Sequence, residues 1–314
     1  MAKMKLLIAD KLPRRTANIL EAAGIKVDDR AGIEADELAK IIGGYEGLIV
    51  RSRTKATGKL ISAGKKLKVI GRAGVGVDNI NLSAAKKQGI AVVNTPQSTS
   101  VAVAEHTLAL MLALQHKVAQ ADASMKAGEW AKKKMRASEL AGKTLGIVGM
   151  GHIGTLVAKR AAAFDMKVIG NDPVLDEEAM LERGAISVSL EELYAKAHII
   201  TFHIPLNNRT RGMINKKSFG QMKNGVRIIQ VARGGVIDED ALLAALESGK
   251  VAGAALDVYA EEPPGASPLV THSKVVTTPH IAAQTFEAQR RAAKDIADEV
   301  LAALEDRPLR WQVA

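Results

Sequence analysis

With 314 residues the chain is too long for one ordinary core and suits two domains. Its 47% apolar and 25% charged residues are those of a globular protein, its 3% aromatics argue against a base-stacking platform for single-stranded nucleic acid, and the absence of cysteine excludes disulfides, thiolate metal sites and a cysteine nucleophile. The formal charge of +10 is spread along the chain and reads as a surface bias rather than a nucleic-acid footprint.

The first ten residues read as a short strand, Lys5-Leu-Leu-Ile-Ala-Asp10. Its apolar run is too short for a secretory signal, and no small-residue cleavage site follows, so a cytoplasmic protein is expected. Further runs of Val, Ile and Leu lie at residues 47–50, 67–70 and 90–93. From Arg51 to Arg72 there are eight Lys or Arg and no acid, a field that attracts an anionic ligand. Asn94-Thr-Pro-Gln-Ser-Thr-Ser100 then supplies turn and helix-cap residues and marks a break. A long helix is predicted over about 101–127; its most apolar part carries Glu105 and His106 and is not a membrane span. Later apolar runs, at 145–148, 168–170, 199–202, 226–231, 252–256 and 275–277, alternate with helical spacing such as 155–164 and 238–246. A second break falls near Gln284, before a last helix over about 286–304. Short continuous apolar runs are strands buried on both faces, and their alternation with helices predicts α/β architecture with parallel sheets.

Leu145-Gly-Ile-Val-Gly-Met-Gly-His-Ile-Gly-Thr155 holds Gly149, Gly151 and Gly154 in G-x-G-x-x-G spacing, between a strand and a helix. Such glycines allow a tight turn, a close approach of backbone to a pyrophosphate, and packing of the helix on the strand. Asp172, at the end of the next strand, sits where a carboxylate binds ribose hydroxyls and repels a 2′-phosphate, which favours NAD over NADP. Ligands of parallel sheets bind beyond the carboxyl ends of the strands. The residues just after successive strands here are Gly149, Asp172, His203 to Pro205, Ala232 and Arg233, Asp257 and His280.

Arg233, before two glycines, offers a planar fork for a carboxylate. Glu261 and Glu262 lie in a proline-braced loop, and His280 follows a proline. Hydride transfer between an alcohol and a nicotinamide needs a proton acceptor titrating near working pH, and a histidine oriented by a carboxylate suits it. Spacing alone does not select His280 over His203, and no residue set points to a metal.

The chain resembles the D-isomer-specific 2-hydroxyacid dehydrogenase family over essentially its whole length. The residues that carry this are Gly71-Arg-Ala-Gly-Val-Gly-Val-Asp-Asn79, Asn94-Thr-Pro96, Ala104-Glu-His106, the Gly149 fingerprint, His203-Ile-Pro-Leu206, Val231-Ala-Arg-Gly-Gly235, Ala255-Leu-Asp-Val258, Glu261-Glu-Pro-Pro264 and Pro279-His280. The resemblance implies two flavodoxin/Rossmann-like doubly wound parallel-sheet lobes with a cleft between them. A discontinuous substrate-binding domain would span 1–97 and 285–314, and an NAD-binding domain 98–284 with a dimerisation helix after Ser100. It implies Arg233, Glu262 and His280 as catalytic residues. Asp257 and the backbone near Ala232 would line the nicotinamide, Ile204 would flank the adenine side, and His152 and Ile153 would lie against the pyrophosphate; Val75, Val231, His203, Pro205, Ala282 and Ala283 would complete the cofactor site. The loop Arg72, Ala73, Gly74, Val75 and Gly76 would hold the substrate carboxylate. Two positions depart from the family's pattern: His152 stands where arginine is common, and Ala282 near a usual glycine.

In the members that act on phosphoglycerate, residues matching Arg51, Arg72 and Lys132 lie near the phosphate. This favours 3-phosphoglycerate over glycerate, glyoxylate or D-lactate. The same family contains NADH-sensing co-repressors, a binding role in which the Arg51–Arg72 segment would touch nucleic acid; a basic pocket ready for phosphate and the lack of interaction tails stand against it. The expected partners are a small anionic substrate and a second copy of the chain, with neither nucleic acid nor membrane. With the sequence ending at Ala314, no serine-binding regulatory domain is expected.

Overall fold

The computed structural model describes residues 4–314; residues 1–3, read above as part of the opening strand segment, lie outside the described residues. The chain divides into two compact units, one of residues up to Ser100 with Ala283–Ala314, the other of Val101–Ala282. Each is built on a parallel sheet.

The first unit contains β1 (Lys5–Ile8), β2 (Lys26–Asp29), β3 (Gly47–Val50), β4 (Val69–Arg72) and β5 (Ala91–Asn94), in the order β2-β1-β3-β4-β5. Side chains alternate across the sheet. Leu7, Leu48, Ile70 and Val92 pack with Leu38 and Ile61 on one face, while Leu6, Ile8, Ile49 and Val69 pack with Leu20, Ile296 and Val300 on the other. Both faces are covered, which is why these strands are continuously apolar in sequence. β2 escapes that pattern because it is an edge strand with two exposed ends, Lys26-Val-Asp-Asp29.

The helix Phe286–Leu304 belongs to this unit and crosses β4 at Gly71, where a Cβ would lie 2.5 Å from Val300 Cγ2. Glu299, 2% exposed, accepts hydrogen bonds from Arg310 Nε at 2.6 Å and from the backbone N–H groups of Arg310 and Trp311. This turns the chain back, and residues 311–314 run along β5: Asn94 N–H donates to Trp311 O, Val313 N–H to Val92 O, and Val92 N–H to Ala314 O.

The second unit contains β6 (Thr144–Val148), β7 (Lys167–Asn171), β8 (Ile186–Ser187), β9 (Ile199–Phe202), β10 (Val226–Gln230), β11 (Val251–Leu256) and β12 (Val275–Thr277). Their order is β12-β11-β10-β9-β6-β7-β8, so the winding reverses between β6 and β9. At such a switch point the loops after the two strands part and leave a crevice for a ligand.

The helix predicted over 101–127 is two helices, Ser100–Gln115 and Val118–Lys126. Lys117 between them is left-handed, with φ of 55°. The physical reason is burial. Leu110, Met111 and Leu114 anchor the first helix, and buried Gln115 donates to Glu139 O, whereas the second helix has no buried side chain to hold it on the same axis. Among the described residues, no helix is long and apolar enough to cross a membrane.

Candidate active site

The glycine loop follows β6 at the switch point. Gly149 has φ of 93°, and a Cβ on it would lie 2.6 Å from His203 O, at the end of β9. A Cβ on Gly154 would lie 2.1 Å from Gly149 O, so the helix His152–Ala162 can sit on the strand only with glycine there. Gly151 differs: a Cβ there would meet nothing within 4 Å. Its backbone faces open space at the start of an 11-residue helix that has no side-chain cap, with exposed His152 and half-buried Ile153 as first residues. The first N–H groups of a helix point out along its axis and suit phosphate. Asp172 follows β7; its Oδ2 accepts from Met150 N–H at 2.9 Å and its Oδ1 from Val174 N–H at 3.1 Å. The carboxylate is thereby fixed beside the glycine loop and is still partly exposed. This loop, helix start and acid fit a dinucleotide.

His280, Glu262 and Asp257 are gathered at the ends of β11 and β12. His280 Nδ1 lies 2.7 Å from Glu262 Oε2, and Glu262 Oε1 accepts from Tyr259 N–H at 3.1 Å. The His280 side chain is 46% exposed, so the ring is held on one side and open on the other. Its backbone is left-handed, with φ of 53°, an uncommon state for a residue with a Cβ. Fully buried Asp257 holds the chain on both sides of it, accepting from Thr278 Oγ1 at 2.6 Å, Ile281 N–H at 2.8 Å and Ala282 N–H at 3.0 Å. His106 Nε2 lies between the two, 3.1 Å from Thr278 Oγ1 and 3.4 Å from Asp257 Oδ1. Burial pushes the Asp257 carboxyl up, but the bonds from His106, Thr278, Ile281 and Ala282 outweigh it, and its pKa stays below the ordinary value.

Arg233 lies in the turn after β10, past buried Val231 and half-buried Ala232, and its Nη1 donates to Ala232 O at 2.7 Å. Gln230, 2% exposed, ties the turn: its Nε2 donates to Arg233 O and its Oε1 accepts from Ala232 N–H, both at 3.1 Å. The next residue, Gly234, passes so close to β11's loop that a Cβ would lie 1.7 Å from Tyr259 O.

His203, the rival proton carrier in sequence, sits differently. Its Nε2 lies 3.1 Å from Thr201 Oγ1, and its Nδ1 is enclosed without a partner. Burial pushes its pKa down to about 3, so the ring stays neutral at physiological pH and is poorly matched to proton transfer there. Ile204 packs over Gly149, and exposed Pro205 follows, its carbonyl accepting from Thr210 Oγ1.

In the first unit Arg51 and Arg72 stand at the carboxyl ends of β3 and β4, which pair Val50 with Arg72. Arg51 N–H donates to buried Asp10 at 2.6 Å, and its Nη1 to Lys11 O. Burial lowers the Arg51 pKa and Asp10 partly restores it. The Arg72 guanidinium folds over Gly74, whose φ is 137°. Ala73 and Gly74 are buried, Val75 and Gly76 half-buried. The loop is tied at both ends: Asn94 Nδ2 donates to Val75 O, and Asn79 Nδ2 to Arg51 O and Thr54 O. Ala283, in this unit, accepts from Gln289 Nε2. Lys132 belongs to the second unit, exposed on the turn Lys132–Lys134.

Gln230 and His106 were not singled out in sequence as site residues. Each is a polar residue inside an apolar run, Ile228-Ile-Gln-Val231 and Val101 to Leu114, and that interruption was the available signal.

Residues 108–282 match the family described as D-isomer specific 2-hydroxyacid dehydrogenase, NAD binding domain. D-3-phosphoglycerate dehydrogenase of Rattus norvegicus is 46% identical over 293 residues, 93% of this chain and 55% of that protein. The enzyme of that name from Archaeoglobus fulgidus is 44% identical over 308 residues, 98% of this chain and 58% of that protein. The chain thus spans about half the length of the curated relatives it matches. Among solved structures, a glyoxylate reductase from Paecilomyes thermophila superposes with a TM-score of 0.92 at 33% identity, covering 100% of this chain and 99% of that one. With a sheet reversing at the glycine loop and over half its length matched by the family's NAD-binding domain, the chain belongs to the D-isomer specific 2-hydroxyacid dehydrogenase family.

Proposed function

We propose that the chain oxidises a D-2-hydroxy acid with NAD, and that the acid is 3-phosphoglycerate, giving 3-phosphohydroxypyruvate, NADH and a proton as the first step of L-serine synthesis. The observation that carries this reading is the 2.7 Å contact of His280 Nδ1 with Glu262. Glu262 holds the Nδ1 hydrogen and leaves Nε2 to take the substrate hydroxyl proton, then steadies the imidazolium that results. Bound NAD supplies the hydride acceptor. Arg233 pairs with the substrate carboxylate and with the oxygen that becomes a carbonyl. Gly149, Gly151, His152, Ile153 and Gly154 hold the pyrophosphate, Asp172 the ribose, and His203, Ile204 and Pro205 flank the adenine side. Val231, Ala232, Asp257 and Ala282 line the nicotinamide.

The phosphorylated substrate is supported by the relatives named phosphoglycerate dehydrogenase and by the basic edge of the first unit. Arg51 and Arg72 with the backbone of residues 73–76 bind the anionic groups of the substrate. NADH oxidation measured against phosphohydroxypyruvate, hydroxypyruvate, glyoxylate and pyruvate tests this. A strong preference for phosphohydroxypyruvate is expected. Preference for an unphosphorylated acid removes the phosphate role of Arg51 and Arg72, and no turnover of any of the four overturns the enzyme.

Two substitutions test roles within it. Arg233→Ala is expected to lower kcat/KM by about 10²- to 10³-fold, the cost of losing one aimed cationic donor, with NADH affinity nearly unchanged. Steady-state kinetics with fluorescence titration of NADH reads both. Asp172→Ala is expected to move the NAD to NADP preference about tenfold or more toward NADP, because a charged hydrogen-bond acceptor and a repulsion are lost together. An unchanged ratio of kcat/KM for the two coenzymes removes Asp172 from ribose recognition.

The same reading makes the protein a cytoplasmic homodimer through the segment after Ser100. Val118, Met125 and Trp130 expose 54%, 57% and 79% of their surface there, apolar area suited to a partner chain. Sedimentation equilibrium is expected to give twice the chain mass, and a monomer at micromolar concentration would remove the dimer.

A further inference from the structure

The second sheet has another edge, where its strands begin. There a cavity of about 460 Å³ opens among the amino ends of β6, β7 and β8 and the end of the helix Leu190–Lys196. It is remote from the glycine loop. Thr144 in its wall is the first residue of β6 and Val148 the last before Gly149, four strand steps or roughly 13 Å. Ile169 and Ile186 give it apolar walls, and the Ile186 side chain is 62% exposed. Lys167, Lys196, Lys223 and His198 line it as well, and among the described residues no acid does. Lys196 is shared with Glu192, one turn earlier on its helix. Lys167 and Lys223 carry the remaining positive charge.

His198 defines what the cavity accepts. Thr144 N–H donates to His198 Nδ1 at 3.0 Å, so Nδ1 bears no hydrogen. The neutral ring then carries its hydrogen on Nε2. Lys223 Nζ, whose ammonium form has only donors, stands 3.1 Å from that same Nε2. Two donors face each other with no acceptor between them. Protonating the ring does not relieve this. It would break the bond from Thr144, and burial together with the charges of Lys223 and Lys143 lowers the His198 pKa. An anionic oxygen set against both groups would accept from each, and charge-assisted bonds of this kind are the stronger ones.

We propose that this cavity is a binding site for a small organic anion, with a carboxylate or phosphate head held by Lys223 Nζ and His198 Nε2–H and an apolar body against Ile169 and Ile186. The volume lies within the range of small-ligand pockets, and mostly apolar walls with a few converging polar groups are their usual lining. The site is separate from the nucleotide edge and stands whether or not the reaction proposed above is correct.

Calorimetric titration of the whole chain with hexyl phosphate and with heptanoate, each with and without saturating NADH, tests it. At least one probe is expected to bind saturably with NADH present, and the better of the two identifies the head group. Inorganic phosphate and hexanol are each expected to bind at least about tenfold more weakly, since each lacks one half of the recognition. Lys223→Met is expected to weaken the probe about tenfold and leave NADH binding unchanged. If that variant does not fold, Lys167→Gln, at the exposed start of β7, carries the same reading with about a threefold loss. The proposal is overturned if neither probe saturates, or if affinity is the same in the wild type and both variants.

Discussion

His280→Asn is expected to lower kcat by about 10²- to 10⁴-fold, the usual contribution of a positioned general acid or base. Asparagine can still donate to Glu262 Oε2 from nearly the place of Nδ1, so the 2.7 Å contact has a substitute and the loop is not forced to move. Asparagine also enters the left-handed region more readily than most residues, which suits the φ of 53° at this position. What it cannot do is carry a proton. The loss should therefore fall on kcat, while NADH titration and the melting temperature stay near wild type. Glu262→Gln is expected to show a smaller loss, because the amide keeps a hydrogen bond to the ring but not the charge that steadies the imidazolium. Near-normal turnover in His280→Asn would sink this assignment. His203 would be a poor replacement, since its pKa of about 3 leaves it neutral across the working range.

The second large effect is expected from a single methyl group. In Gly234→Ala the new Cβ would begin 1.7 Å from the carbonyl oxygen of Tyr259 and 2.1 Å from its carbon, so backbone rather than a flexible side chain blocks it. Relief requires the turn after β10 or the loop after β11 to move. The first carries Arg233, and the second carries the Tyr259 N–H that fixes Glu262. Overpacking of this kind costs about 1–3 kcal/mol and more where neighbours cannot give. For a unit of this size that corresponds to a fall in Tm of roughly 2–12 °C. Because both loops bear proposed catalytic groups, kcat/KM should fall in the protein that remains folded. Wild-type melting together with wild-type kcat/KM would mean that the close approach is not required.

Much of this was legible in the chain. Continuous apolar runs gave nearly all the strands because parallel sheets are covered on both faces, and the glycine spacing placed the turn after β6 without ambiguity. Elements without burial were harder to read. β2 is a half-polar edge strand and β8 has two residues, Ile186 and Ser187, one of them largely exposed. The left-handed Lys117 that divides the long helix has no turn residue to announce it. For the site, the type of residue was readable and the supporting contacts were not. Asp257 was placed by its position after β11, but its grip on both flanks of His280 depends on where β12 ends, a matter of tertiary register. Gln230 and His106 work through carbonyls, amides and hydroxyls that only folding brings to them.

The return of residues 311–314 along β5 bears on solubility. β5 ends the order of the first sheet and would otherwise present a row of unpaired N–H and C=O groups. An open edge of that kind, apolar and regular, is a template on which another chain's strand can add, and repetition of that step leads to aggregation. Here the Val92 and Asn94 amides and the Val92 carbonyl are already occupied by the chain's own last residues, held there by the buried Glu299 carboxylate at the turn. The ion pair with Arg310 therefore acts as a latch on an edge guard, and loosening it would open that edge to other chains.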